Sequence, residues 1–295
     1  MSDHYEASAR VSVVIPTIGR DHLRRAVESA AVQDVETEIL VVLDRPAKAA
    51  AVRLLLDGLD YRLVQTSGSR GASAARNIGL SEASGTHVAY LDDDDWWERG
   101  KLRSQLDAVG GAATDGHVCV TASRFHREDG SVIVVPGRPY EQGANIADYV
   151  VTRDEIRFGR GFMQTSSVLG TRALMSRFRW DESLNRHEDW DLMIRILDEP
   201  GVTFHMVTEP LVHVVQGSTG SLSKEPDWQN SLAWFDRHRG RMGTRARGDF
   251  LSVQVLRSAL AARSREGSTR AVRELVRTRP HAAAVVVGLF GLIGR

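Results

Sequence analysis

In the first half of the chain, short apolar runs alternate with stretches in which apolar residues recur every three or four positions. Residues 11–15 are a β-branched run that Pro16-Thr17 ends, which predicts a first strand. Gly19 and Arg20 then lead into a helix, with Asp21 the expected cap and Leu23, Ala26, Val27 and Ala30 the apolar face. Residues 38–43 form a second buried run ending in Asp44. The segment 47–59 is apolar at helical spacing, 61–65 reads as a shorter strand, 68–71 as a turn and 72–81 as a helix. A fourth strand is expected at 88–91, bounded upstream by Gly85. Strands that alternate with helices predict an α/β fold, a parallel sheet with helices on both faces.

The second half is less regular. A helix is expected at 101–109 and strands at 118–122 and 132–135, with a hairpin signal at Asp129-Gly130 between them. Residues 159–161 read as a glycine-rich turn, 165–169 as a buried strand and 172–175 as a short helix. Leu192, Ile194, Ile196 and Leu197 mark another helix, and 203–207 and 211–215 read as two strands. Residues 216–223 are rich in Gly, Ser and Thr, the usual composition of a surface loop.

The chain has 295 residues, room for one large domain or two small ones, and a hydrophobic content of 42% allows an ordinary core. With 38 basic and 38 acidic residues the formal net charge is zero, which argues against nucleic acid as a partner of the whole protein. A single cysteine, Cys119 in an apolar run, excludes an internal disulfide and a multi-cysteine metal site; a buried, inert thiol is expected. Residues 1–10 are polar and lack the apolar centre of a signal peptide, so a cytoplasmic location is the expectation.

The fourth strand runs into Asp92-Asp93-Asp94-Asp95-Trp96-Trp97. Adjacent carboxylates repel one another and call for a positive partner. Their hard oxygens favour Mg²⁺, Mn²⁺ or Ca²⁺ over zinc. Ligands of open α/β sheets bind at the carboxyl ends of strands. A solvated acidic turn is the plainer alternative. Asp44 ends a strand too, where it suits a base or ribose, although Asp-Arg-Pro is equally a good turn. Arg70, Arg76 and Asn77 lie on a turn and the following helix, and the arginines are candidates to face phosphates or to pair with a carboxylate. Neither a phosphate-binding Gly-x-x-x-x-Gly-Lys-Ser/Thr loop nor a Gly-x-Gly-x-x-Gly after the first strand is present.

Four segments in order carry a resemblance: Val11-Ser12-Val13-Val14-Ile15-Pro16-Thr17, Ala74-Ala75-Arg76-Asn77-Ile78-Gly79, Leu91-Asp92-Asp93-Asp94-Asp95-Trp96 and His187-Glu188-Asp189-Trp190-Asp191-Leu192. Over roughly residues 10–220 the chain resembles the family 2 glycosyltransferases of the GT-A fold. The resemblance implies a Rossmann-like, mostly parallel sheet, a nucleoside-diphosphate sugar donor, a hydroxyl-bearing acceptor, inversion at the anomeric carbon, and Mn²⁺ or Mg²⁺. It implies donor contacts from Pro16, Thr17, Arg20, Asp44, Arg70, Arg76, Asn77, Asp92 and Asp93. The family's Asp-x-Asp-Asp pattern falls on Asp92, Asp94 and Asp95 as metal ligands, with a one-residue slip left open because all four residues are Asp. Asp92 and Asp94, at i and i+2 of an extended segment, would point the same way.

By the same resemblance Asp189 is the general base, with Glu188 as the alternative. Partial burial and the neighbouring Glu188 and Asp191 would raise its pKa. The plainer reading has these acids favouring a helix N-terminus. His187 and His213 are candidate acceptor or phosphate contacts, although lone histidines are more often structural. The resemblance also makes 216–223 a loop over the donor, and acceptor contacts are expected from about 125–165. The expected organisation is a glycosyltransferase domain over 1–224, with a nucleotide-sugar half at 10–110 and an acceptor half at 111–224, then a helical basic extension at 225–295. A sugar-phosphate nucleotidyltransferase would need a glycine-rich Arg/Lys loop after the first strand, where this chain reads Pro16-Thr17-Ile18-Gly19-Arg20. A nucleotide-sugar-binding module without turnover is the non-enzymatic alternative.

The tail from 228 lies outside the resemblance. It carries Arg257, Arg263, Arg265, Arg270, Arg273, Arg277 and Arg279, then a 12-residue apolar run at 282–293 that is too short to span a bilayer. A peripheral contact with the cytoplasmic membrane face fits that pattern. The alternative is a helix packed on the domain or on a second subunit in a homodimer.

Overall fold

A computed structural model describes residues 9–110, 116–156, 161, 163–216 and 226–293. Residues 1–8, 159–160 of the expected glycine-rich turn and 217–223 of the expected donor loop lie outside the described residues. The elements run β1 (Val11–Thr17), α1 (Leu23–Ala31), β2 (Thr37–Leu43), α2 (Ala49–Leu55), β3 (Arg62–Gln65), α3 (Ala72–Glu82), β4 (His87–Tyr90), β5 (Trp96–Trp97), α4 (Lys101–Ala108), β6 (His117–His126) and β7 (Val132–Val135). Then come α5 (Ile146–Val151), β8 (Leu169–Thr171), α6 (Arg172–Phe178), α7 (Glu188–Leu197), β9 (Thr203–Val215), α8 (Trp228–His238), α9 (Thr244–Phe250), a π-helix (Leu251–Leu256), α10 (Arg257–Ala261), α11 (Arg265–Leu275) and α12 (Ala282–Leu289).

Proximity divides the chain into two compact units. One contains the described residues of 1–134, 164–182 and 195–218, the other those of 135–163, 183–194 and 219–295.

The first unit is built on a mixed sheet in the order β3-β2-β1-β4-β8-β6-β9-β5, with β7 beside β6. β1 pairs in parallel with both β2 and β4, and β2 with β3. β8 is antiparallel to β4 and β6, β9 is parallel to β6, and β5 is antiparallel to β9. β1 and β4 are buried along their whole length, as expected for strands covered on both faces. Pro16 falls beyond the last residue of β1 that pairs with β4, so its missing N–H costs that ladder nothing.

Gly79 decides how α3 lies on this sheet. A Cβ there would stand 2.4 Å from Val14 Cγ1 and 3.0 Å from Val42 Cγ2, so only glycine allows the helix this close to β1 and β2. Arg76 and Asn77, nearly one turn earlier, are buried as a result.

Several expectations are corrected. Asp21 does not cap α1, whose N-cap position is His22 with no side-chain cap bond. Residues 165–169 are not one strand. Gln164 caps a 3₁₀ turn, Thr165–Ser167, by accepting from Ser166 N–H, and β8 begins only at Leu169. The two strands expected at 203–207 and 211–215 are one strand, β9, whose register against β6 shifts around Ala122. That bulge accommodates Pro210 inside the strand.

In the second unit α8–α12 pack around Trp234, Phe250, Leu251 and Val255. Fully buried Asp249 ties its ends together: its carboxylate accepts from Arg153 N–H (2.9 Å), His281 N–H (2.8 Å) and His281 Nδ1 (2.7 Å). Among the described residues, no helix is long and apolar enough to cross a membrane.

Candidate active site

At the carboxyl end of β1 and β4 the four aspartates alternate in environment. Asp93 and Asp95 are buried, whereas Asp92 and Asp94 are half-buried. The expected extended segment is not found: Asp95 N–H donates to the Asp92 carbonyl at 3.1 Å, so the run is a turn, and the alternation is one of burial within that turn.

The inward pair is held by the protein. Thr17 Oγ1 donates to Asp93 Oδ2 at 2.5 Å, and Arg20 Nη1 bridges Asp93 Oδ1 and Asp94 Oδ2, each at 3.1 Å. Burial, with Asp94 and Asp92 adding to it, outweighs Thr17 and Arg20 and pushes the Asp93 carboxyl up to about 6. Asp95 Oδ2 accepts from Ser166 Oγ (2.6 Å) and Gln164 Nε2 (2.8 Å), and Oδ1 from Val215 N–H (3.2 Å). Burial foremost, and then the charges of Asp94 and Asp92, hold the Asp95 carboxyl well above the usual range.

The outward pair faces guanidinium groups. Buried Arg76 donates from Nη2 to Asp92 Oδ1 at 2.7 Å, and its guanidinium lies 4.6 Å from the centre of the Trp180 ring. Arg25 Nη2 donates to the Asp94 carbonyl at 2.9 Å, with its guanidinium 3.7 Å from the Trp96 ring centre. Thr17, Arg20, Asp93 and Asp94 thus form one hydrogen-bonded cluster, with the Arg76–Asp92 pair next to it along the chain.

The other expected donor residues hold loops around it. Asp44 accepts from Thr66 Oγ1 (2.5 Å), Arg70 N–H (2.9 Å) and Gly71 N–H (2.9 Å), so its carboxylate pins the 66–71 turn. Asn77 donates to the Trp180 carbonyl and to Glu182, and accepts from Trp180 N–H at 2.9 Å, which fixes the ring that underlies Arg76. The Arg70 side chain pairs with exposed Glu182 at 3.1 Å. His213 does not stand alone: it stacks on Trp96 (4.5 Å, 10°), shares a hydrogen bond with His126 (2.8 Å) and meets Glu98 Oε1 (2.9 Å). Gln164, Ser166, Trp180 and Arg25 have no signal in the sequence, since each acts through a partner about 70 to 104 positions away.

In the second unit, Glu188 and Asp189 open α7 and are half-buried. His187 just before them takes a left-handed backbone (φ 59°). Its carbonyl accepts from Asp191 N–H at 2.9 Å, and Asp189 Oδ1 accepts from Trp190 N–H at 2.9 Å. The His187 ring stacks on Trp190 (4.9 Å, 18°), lies 5.4 Å from Trp234 and 5.3 Å from Phe250, and shares a hydrogen bond with Ser231 Oγ (3.1 Å). That packing, and secondarily Arg186, pulls its pKa down to about 3. Fully buried Asp191 meets His238 Nε2 at 2.9 Å. The acids at the start of α7 also favour its N-terminal dipole.

The sequence profile of glycosyl transferase family 2 matches residues 12–176. The amylovoran biosynthesis glycosyltransferase AmsB of Erwinia amylovora is 31% identical over 210 residues, 68% of this chain and 67% of that protein. Among solved structures, S. aureus TarS (residues 1–349, in complex with UDP-GlcNAc) superposes with a TM-score of 0.58 at 16% identity, over 91% of this chain and 81% of that one. The mannosyltransferase PcManGT from Pyrobaculum calidifontis, in complex with GDP-Man and Mn²⁺, gives 0.51 at 19% identity, over 97% and 74%. The two structures share the fold, a mostly parallel sheet flanked by helices. The profile covers more than half of the sequence, and the chain belongs to glycosyl transferase family 2.

Proposed function

We propose that this protein is an inverting, metal-dependent glycosyltransferase that moves a sugar from a nucleoside-diphosphate donor to a hydroxyl-bearing acceptor. The observation that carries the reading is the alternation at Asp92–Asp95, where two carboxylates are anchored inward and two are turned outward against arginines. The GDP-Man and Mn²⁺ bound to PcManGT and the UDP-GlcNAc bound to TarS support a nucleotide-sugar donor.

The outward residues fit Mg²⁺ or Mn²⁺ by the chemistry of their donors. Asp92 and Asp94 offer hard oxygens, and among the described residues no group of three His, Cys, Asp or Glu is placed to form a complete cage. Magnesium-like ions suit such a site, because they take few carboxylates and complete their shell with phosphate oxygens and water. When bound, the ion supplies Lewis-acid stabilisation of the diphosphate leaving group. Arg20 and Arg76 add fixed positive charge next to it. Asp95, bonded through both carboxylate oxygens, positions the run rather than ligating.

For transfer, Asp189 accepts the proton of the acceptor hydroxyl as that oxygen attacks the anomeric carbon. The bond from that carbon to the diphosphate oxygen breaks, and the electron pair leaves with the nucleoside diphosphate. Attack opposite the leaving group inverts the centre. Half-buried at the start of α7, Asp189 is held by Trp190 N–H and is preceded by a ring packed among aromatics. A panel of nucleotide sugars with Mn²⁺ and a detector for released nucleotide tests the reading. Release with a donor and a hydroxyl acceptor is expected, and a product of retained anomeric configuration would refute inversion.

A further inference from the structure

The C-terminal helices of the second unit present an apolar stripe that the sequence pattern leaves undirected, because 282–293 is apolar on every side. Packing gives it a direction. A Cβ at Gly288 would lie 2.7 Å from the Ser252 carbonyl oxygen, and one at Gly291 would lie 2.2 Å from the Arg257 carbonyl oxygen. Those glycines seat α12 on the π-helix and α10, with Ala284 and Val287 buried on the same side. The opposite side must then face outward. It carries Val285, Val286, Leu289, Phe290 and Leu292, with Leu289 at 46% and Leu292 at 66% exposure. On α11 and just past its end, Val272 (50%) and Val276 (76%) are likewise exposed, alongside Arg273 and Arg277.

Charge separates this region from the rest of the molecule. Residues 237–295 hold thirteen arginines, no lysine and three acids, in a chain whose formal net charge is zero. One of the acids, Asp249, is buried against His281. Arg263, Arg265, Arg270, Arg273, Arg277 and Arg279 make no ion pair among the described residues, and all six are exposed.

We propose that this region, through its exposed apolar residues and arginines, docks on a bilayer surface that carries anionic lipid headgroups. Exposed large apolar side chains beside unpaired arginines match both layers of such a surface, acyl chains and phosphates. A symmetric contact between two copies would set arginine against arginine. Nucleic acid would take the arginines and leave the aliphatic stripe in water. An eight-residue α12 is about 12 Å long against a hydrocarbon core of about 30 Å, so the helix lies in the interface and does not span it. The docking rests on these residues alone and is independent of the transfer chemistry.

The test is co-sedimentation of the full chain with vesicles of phosphatidylcholine alone or with about one-third phosphatidylglycerol, at low and high salt. Binding to the anionic vesicles only, weakened by salt, is expected. Two variants keep the test independent of any one substitution. Arg273→Gln with Arg277→Gln should weaken binding about 25-fold, about fivefold per arginine near an anionic surface. Leu289→Glu with Leu292→Glu should abolish it. Both alter exposed side chains, so the far-ultraviolet circular dichroism should match that of the unaltered chain. Three results would overturn the proposal: full-length protein left in the supernatant with anionic vesicles at low salt, binding that neither variant weakens, or light scattering in which Leu289→Glu with Leu292→Glu converts a dimer to a monomer.

Discussion

His187 makes a pH dependence that can be worked from the structure. Its ring is packed among Trp190, Trp234 and Phe250, and burial pulls its pKa from an ordinary 6.5 to about 3. The folded state therefore resists a proton that the unfolded chain accepts. The stabilisation is complete above pH 6.5 and is lost as pH falls from there toward 3. Between pH 8 and pH 5 this linkage removes about 2 kcal/mol, an upper figure because the residue keeps partial exposure. His187→Asn abolishes the titration while tolerating the left-handed backbone, which asparagine adopts more readily than most residues. Urea unfolding at both pH values, followed by the fluorescence of tryptophans that include Trp190 and Trp234, measures each protein. The variant is expected to be the less stable at pH 8, and the gap should narrow by about 2 kcal/mol at pH 5. Other titrating groups contribute to both proteins and cancel in the difference. A gap that stays constant within about 0.5 kcal/mol would refute the claim that this imidazole is buried neutral.

Asp94→Ala should abolish the thermal shift induced by Mn²⁺ plus donor while the protein still folds, since Arg20 keeps Asp93 as a partner; an undiminished shift would place the metal elsewhere. Asp189→Asn should leave donor affinity by calorimetry nearly unchanged and cut transfer by about 10²-fold or more, the scale of a lost general base. Equal losses in both would make Asp189 a donor-site or structural residue. Gly79→Ala should lower stability by about 1–3 kcal/mol in urea, because the clash with Val14 exceeds the gain in helix propensity; a stabilised variant would mean that α3 can move off the sheet.

Residue order alone determined much of this protein. Apolar runs that alternate with amphipathic stretches dictate β1, β2 and β4 and the helices between them, since each such run can bury its apolar atoms only as a covered strand. The acidic run had to emerge at a strand end for the same reason: Leu91 is the last apolar residue and Asp92 the first that demands solvent or a cation. Tertiary structure decided what local pattern cannot encode. Four identical residues look alike in sequence, and only Thr17, Ser166, Gln164 and Val215, brought in from three other segments, separate the anchored Asp93 and Asp95 from the outward Asp92 and Asp94. Asp44 and Asn77 sit where donor contacts were expected, yet their hydrogen bonds go to turn backbone and to Trp180. Lys101, the first residue of α4, is fully buried 3.9 Å from the centre of the Trp97 ring, a placement that helix periodicity does not encode. The apolar end of the chain has no polar face to orient it, and the close approach of Gly288 and Gly291 to carbonyl oxygens about 34 to 36 positions earlier selects the side left in water. In each case the deciding atoms lie far along the chain, beyond the reach of helix and strand periodicity.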